Sequence, residues 1–252
     1  MNKHRILIGA LLGLFVILCC AEVSLGQPAL PQIEIGWNNT DDPEQVAASL
    51  RILALITILS LAPAILIMTT AFTRIVVVLS FTRSAIGLQQ SPPNQVIIGL
   101  ALFLTFYIMA PTWTDVRQNA LTPFLAGEIT MEEALTAAER PVKKFMGKYA
   151  RNEDLRLFMK FGEMTTRPTN YEEIPLHIIA PAFIISELKT AFMMGFILYI
   201  PFLVVDMIVA STLMSMGMLM LPPIMISMPF KIMLFVLVDG WNLVVKSLLT
   251  GY

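Results

Sequence analysis

Four methionines recur at every second position, Met214, Met216, Met218 and Met220, with Gly217 among them and Pro222-Pro223 just beyond. Methionine is unbranched, flexible and apolar, and it adapts to whatever surface it meets. On a helix, alternate residues fall on nearly opposite faces; in an extended or irregular segment all four point one way. Gly217 loosens a helix, and Pro222 biases Leu221 away from helical geometry. The pattern predicts a non-helical loop over 214–223 that aims sulfur-bearing side chains in one direction. A ring of such loops would seal a pore against ions and still deform around a passing chain. Methionine is also a common filler of membrane helices, and at this point both readings stand.

The second group is ionisable. Glu187, Lys189, Asp206, Lys231, Asp239 and Lys246 interrupt an otherwise apolar C-terminal region. A charge at a lipid-facing helix centre costs about 2.5–3.5 kcal/mol on insertion scales. These side chains are therefore expected to face protein or water, or to mark the ends of spans. Glu187 and Lys231 are candidates for a pair, within or between subunits. Asp206 is the one candidate for a proton relay, with no second feature behind it.

Other chemistry lacks its parts. The two cysteines, Cys19 and Cys20, and the two histidines, His4 and His177, are too few and too scattered for a metal site. No disulfide is expected in a mature chain, and no cofactor. No G-x-x-x-x-G-K-[ST], G-x-S-x-G or H-E-x-x-H motif occurs, so the sequence does not read as an enzyme. A net charge of −1 gives no basic footprint for nucleic acid.

The elements that must position these residues are membrane helices. Of 252 residues, 56% are hydrophobic and 14% charged, against roughly 25% charged in soluble domains; mean hydropathy is +0.74. Residues 1–26 read as a cleavable signal peptide: Lys3, His4 and Arg5, an apolar run over 6–20, then Ser24, Leu25 and Gly26 before the cut. Residues 27–47 read as a polar periplasmic leader. Between Arg51 and Arg74 lie 22 uncharged residues, enough for a span of roughly 20, with a kink expected at Pro63. A second span centres on 96–113, and 48–114 form a first hydrophobic hairpin with its tip at 89–94. Two further spans, about 183–206 and 224–248, form a second hairpin within 181–252, joined by the Met-rich turn. Both tips carry a Pro-Pro pair, Pro92-Pro93 and Pro222-Pro223, a faint internal echo.

Between the hairpins, 115–180 is charge-rich and reads as a small helical periplasmic domain. Nine of the 17 Lys and Arg residues fall between Arg117 and Arg167. Thr130 and Glu133 fit a capping box. Pro141 suits a first helical position, followed by Val142, Phe145, Met146 and Tyr149 on one face. Asn152 suits a cap, with Leu155, Phe158 and Met159 sharing the next face. These stripes need an apolar partner, from the same fold or another subunit. The fold class is an all-α membrane protein: two hydrophobic hairpins of kinked helices around a small helical periplasmic domain. Arg74 and Arg83 then sit near the inner face, as the positive-inside rule prefers.

Several long, ordered segments resemble the family of flagellar biosynthetic proteins FliP, the export-gate subunits of type III secretion. They are Ala71-Phe72-Thr73-Arg74 through Leu79, Ser91-Pro92-Pro93-Asn94-Gln95-Val96, Leu100 through Phe106, Ser186-Glu187-Leu188-Lys189 through Phe192, and Met228-Pro229-Phe230-Lys231 with Asp239-Gly240-Trp241. The resemblance implies a ring of several copies, a pentamer in the family, built with FliQ and FliR and working beside FlhB and FlhA. It implies a helical cone raised toward the periplasm, at the bacterial inner membrane and flagellar basal body, conducting unfolded flagellar proteins, with spans that need not lie flat in the bilayer. It assigns a gasket to Gly217, Met218, Leu219, Met220, Pro222 and Pro223, flanked by Met216 and Met214, with Leu219 standing where related sequences often carry a third methionine. It places Glu187 and Lys231, with Asp206 and Arg74, at subunit contacts. The injectisome paralogue, a small-solute transporter and an assembly scaffold are the alternatives.

Overall fold

The computed structural model describes residues 43–252 apart from 163, 165–167, 169, 219 and 220. Among the described residues every regular element is a helix. The expected signal peptide, and the leader as far as residue 42, lie outside them. The chain divides into two compact units, residues 1–57 and 58–252.

In the first unit the described residues belong to helix α1 (Pro43–Thr69), which begins inside the segment read as a polar leader. Its apolar side chains, Leu50, Leu53, Leu55 and Ile56, are exposed. The Thr57 hydroxyl donates back to the Leu53 carbonyl at 2.8 Å, so this polar group is satisfied within the apolar helix.

In the second unit α1 continues, exposing Ile58, Leu59, Leu61 and Ile65. A helix that is apolar all round is one built for lipid or for a larger interior. The helix continues through Pro63 and ends before Thr70-Ala71. There the Thr73 hydroxyl reaches the Ile67 carbonyl at 3.3 Å, occupying one acceptor near the helix end. Helix α2 (Phe72–Ala85) follows, so the apolar run past Arg74 is a separate helix and not a continuation of the span.

Helix α2 packs along α3 (Asn94–Val116) and α7 (Leu176–Ser215). Ile75, Val78 and Leu79 recur at helical spacing and are fully buried, with Ala101 and Met109 of α3 and Ile179, Ala182, Phe183 and Ala191 of α7. Gly195 permits the close approach of α2 and α7: a Cβ there would lie 2.7 Å from the Phe81 ring. Helix α3 runs through a π turn (Arg117–Leu121) into α4 (Thr122–Leu125), making one continuous helical stretch of 32 residues.

The charge-rich middle folds as α5 (Met131–Tyr149) and α6 (Asn152–Phe161). The capping box forms: Thr130 accepts from the Glu133 N–H at 3.3 Å, and Glu133 accepts from the Thr130 N–H at 2.8 Å. These bonds hold the exposed Glu133 carboxyl below its ordinary range. Pro141 does not open a helix; it lies inside α5, because the capping box has already set the start at Met131. Nor does Asn152 cap α6. Arg151 takes that extended position, its N–H donating to Ser186 Oγ at 2.9 Å, and Asn152 is the first helical residue. The partner for the two apolar stripes comes from the same chain: Phe145, Met146 and Leu155 share one core with Ile178 and Phe183.

The C-terminal spans differ from expectation. Helix α7 is a single element of 40 residues, about 60 Å long and twice a hydrocarbon core of roughly 30 Å. Its first part carries α6 and its last part meets α8 (Pro223–Leu237). Between α8 and α9 (Gly240–Thr250) the chain bends by 62° at Asp239, whose φ is +51°. Among the described residues three continuous helices are long and apolar enough to cross a membrane, and a fourth span is made there only if α8 and α9 count as one broken element.

Candidate functional site

The Met-rich loop is where two helices are stopped and started by specific chemistry. Helix α7 ends in a paired hydrogen-bond motif: the Gly217 N–H donates to the Met214 carbonyl at 3.1 Å and the Met218 N–H to the Leu213 carbonyl at 3.0 Å. The motif requires a left-handed residue, and Gly217 supplies it with φ +73°. Pro222 then takes the cap position of α8 and Pro223 its first turn, where a proline has no N–H to lose. Of the residues between the two helices, Met216, Gly217, Met218, Leu221 and Pro222 are described, and they are non-helical. Met214 lies in the last turn of α7 and not in the loop as expected. Met214 and Met216 are exposed at 59% and 65%, and Met218 at 37%: three sulfur-bearing side chains are uncovered where α7 ends. Leu219 and Met220 lie outside the described residues.

The tip between α2 and α3 is built the same way. Gly87, with φ +90°, donates to the Ser84 carbonyl at 3.0 Å, and Leu88 donates to Arg83 at 3.3 Å. In both tips the glycine precedes the Pro-Pro pair by the same spacing, Gly87 before Pro92-Pro93 and Gly217 before Pro222-Pro223. The echo of the paired prolines therefore extends to the glycine stops.

The buried charges are partnered, but not as the sequence suggested. Glu187 and Lys231 do not meet. Glu187, fully buried on α7, bonds the Arg74 guanidinium from α2 and the Tyr252 hydroxyl. Arg74 also donates to the Gly251 carbonyl at 3.0 Å and lies 4.0 Å from the centre of the Tyr252 ring; its Nε has no acceptor among the described residues. Burial and the Glu187 carboxylate push the Tyr252 phenol above its ordinary range, so it remains a donor. Lys231, 3% exposed, donates to Asp206 at 2.6 Å, and Ser227 donates to the same carboxylate at 2.5 Å. Both sets cross between helices, which physically explains the pairing: an isolated charge in either place would be far costlier than a bonded one. Asp206, the candidate relay, is thereby tied to a cation. Lys189 lies 3.7 Å from Glu153 at the surface. Tyr252 and Ser227 were not singled out in the sequence, and no local pattern marks them.

Among the described residues no group of three His, Cys, Asp or Glu side chains gathers where a metal could sit. The site offers apolar, deformable side chains on a pinned loop, and charges locked into scaffolding.

The comparisons with known proteins then decide the relationship. The FliP family matches residues 55–248. The chain belongs to the FliP family. It is 58% identical over 214 residues to the flagellar biosynthetic protein FliP of Bacillus subtilis (strain 168), covering 85% of this chain and 96% of that one. With its counterpart from Aquifex aeolicus (strain VF5) identity is 49% over 241 residues, covering 95% and 98%. With that of Caulobacter vibrioides it is 47% over 243 residues, covering 96% and 90%. The family match takes in α2, the Met-rich loop and both buried ion pairs, while Gly251 and Tyr252 lie beyond it.

Proposed function

We propose that this FliP-family chain is a pore-forming core subunit of the flagellar type III protein export gate in the bacterial inner membrane, and that the loop 216–222 is its seal. The observation that carries the reading is the exposed array of Met214 in the last turn of α7 with Met216 and Met218 on the loop pinned by Gly217 and Pro222, within a chain of this family. Several copies arranged as a ring, with FliQ and FliR, would bring such loops together around unfolded flagellar proteins; FlhB and FlhA would be neighbours. Flexible thioethers close against one another and yield to varied side chains, which suits a passage for unstructured chains. Relatives with flagellar names favour this gate over its injectisome counterpart. A solute transporter loses its motivating residue, since Asp206 is held by Lys231 and Ser227.

The test replaces Met216 and Met218 together with alanine in cells. Expected outcomes are a rise in ion leak across the inner membrane and altered flagellin secretion, with assembly intact. Normal permeability together with normal secretion in an assembled ring would remove the sealing role.

A further inference from the structure

A cleft between α3, α5 and the end of α9 lies apart from the Met-rich loop and shares only Tyr252 with the charge sets. It encloses about 600 Å³ and runs from Tyr107 and Pro111 on α3, past Asp115, to Lys144 and Lys148 on α5. Helix α3 is apolar enough to span a membrane, and its apolar run ends at Asp115, so the cleft sits where a span gives way to charge. Three of the five tyrosines, Tyr107, Tyr149 and Tyr252, line it, and tyrosine concentrates at headgroup depth.

Lys144 and Lys148 stand one turn apart on one face of α5. Neither has a carboxylate within 4 Å among the described residues, whereas the adjacent Lys143 is paired with Glu139 at 2.7 Å. Lys148 instead donates to the Tyr149 phenol at 2.7 Å, a neutral partner that holds the ammonium in place without cancelling its charge. The Tyr149 and Tyr252 hydroxyls are already committed, to the Tyr252 carbonyl and to Glu187, so these rings act as walls.

We propose that this cleft binds an anionic glycerophospholipid, its phosphate between Lys144 and Lys148 and an acyl chain along Tyr107, Ile108 and Pro111 of α3. Two ammonium groups against the single carboxylate of Asp115 leave an excess of positive charge that complements a singly charged headgroup. Asp115 forms no hydrogen bond or ion pair among the described residues, and it repels the phosphate from the α3 side toward α5. The inference depends on α3 meeting the membrane and is independent of the export role.

The full-length chain, purified in detergent, is titrated with phosphatidylglycerol, phosphatidylcholine or inorganic phosphate, and retained lipid is counted by native mass spectrometry. Phosphatidylglycerol is expected to be retained over phosphatidylcholine. Lys144→Gln and Lys148→Gln each weaken it about 5-fold, Lys143→Gln leaves it unchanged, and Asp115→Asn tightens it. Lys144 has no bond to lose, so its variant folds as the parent does. Unchanged phosphatidylglycerol binding by Lys144→Gln overturns the proposal. So does equal retention of phosphatidylcholine, or displacement of the lipid by inorganic phosphate at matched concentration. A cross-link from Lys148→Cys to a second copy across the cleft, with no lipid retained, gives the surface to protein instead.

Discussion

At the scale of single residues, the buried ion pairs hold separate helices in register. Arg74 and Glu187 join α2 to α7, and Asp206 and Lys231 join α7 to α8. Removing one partner of a buried pair leaves an uncompensated charge, at about 3–5 kcal/mol, while replacing both by apolar groups is often nearly neutral. Arg74→Leu and Glu187→Leu should therefore each lower the unfolding midpoint of the purified protein sharply, and the double variant should recover much of the loss. The same logic predicts that Lys231→Asp with Lys231's partner changed to lysine, Asp206→Lys, restores more than either reversal alone. Reversing Glu187 with Lys231 should restore nothing within the chain, because these two side chains belong to different sets.

At the scale of elements, function depends on where helices stop. Gly217 has open space around the position of a Cβ, so Gly217→Ala introduces no clash. It still places a side chain in left-handed geometry, a cost of about 1–2 kcal/mol. The expected result is a shifted end of α7 and a leakier membrane with little change in global stability, read by ion permeability beside thermal unfolding. Helix α5 offers a pH test. Glu133 is held low by its bonds to Thr130, so its contribution is present above the unfolded carboxyl value of roughly 4.3 and is lost as pH falls through the lower folded value. Glu133→Gln keeps a capping group but has no charge to lose. Hydrogen-exchange protection at the start of α5, corrected for intrinsic rates, should fall with acid in the parent and stay flat in the variant.

At the scale of the whole molecule, the decisive feature is apolar surface without cover in a single chain. Phe192, Met193, Phe196, Ile197 and Ile200 on α7, and Ile224, Met225 and Met233 on α8, are exposed. Faces of this extent belong to lipid or to neighbouring subunits. A helix of about 60 Å cannot be covered by one bilayer alone, so part of α7 lies beyond the hydrocarbon and is free for protein contacts. The expectation is that the detergent-extracted complex contains several copies of this chain with other gate subunits, counted by native mass. A solitary monomer would contradict the ring.

Much of this was legible in the sequence because it depends on short-range rules. Hydropathy alone marks the apolar helices, since a lipid-facing backbone has few other ways to satisfy its polar groups. The Thr130–Glu133 box and the faces carrying Phe145, Met146 and Leu155 follow from local spacing, as does the helix stop at Gly217. Pro141 misled for the complementary reason: a proline weakens a helix locally, and flanking turns and packing can carry the helix through it. Charge pairing was undetermined, because Glu187 finds Arg74 and Tyr252 from the two ends of the described chain, and Lys231 finds Asp206 across a helical turnaround. Such partners are chosen by which faces of α2, α7, α8 and the C-terminal segment meet, a property of the packed tertiary structure that no periodicity encodes.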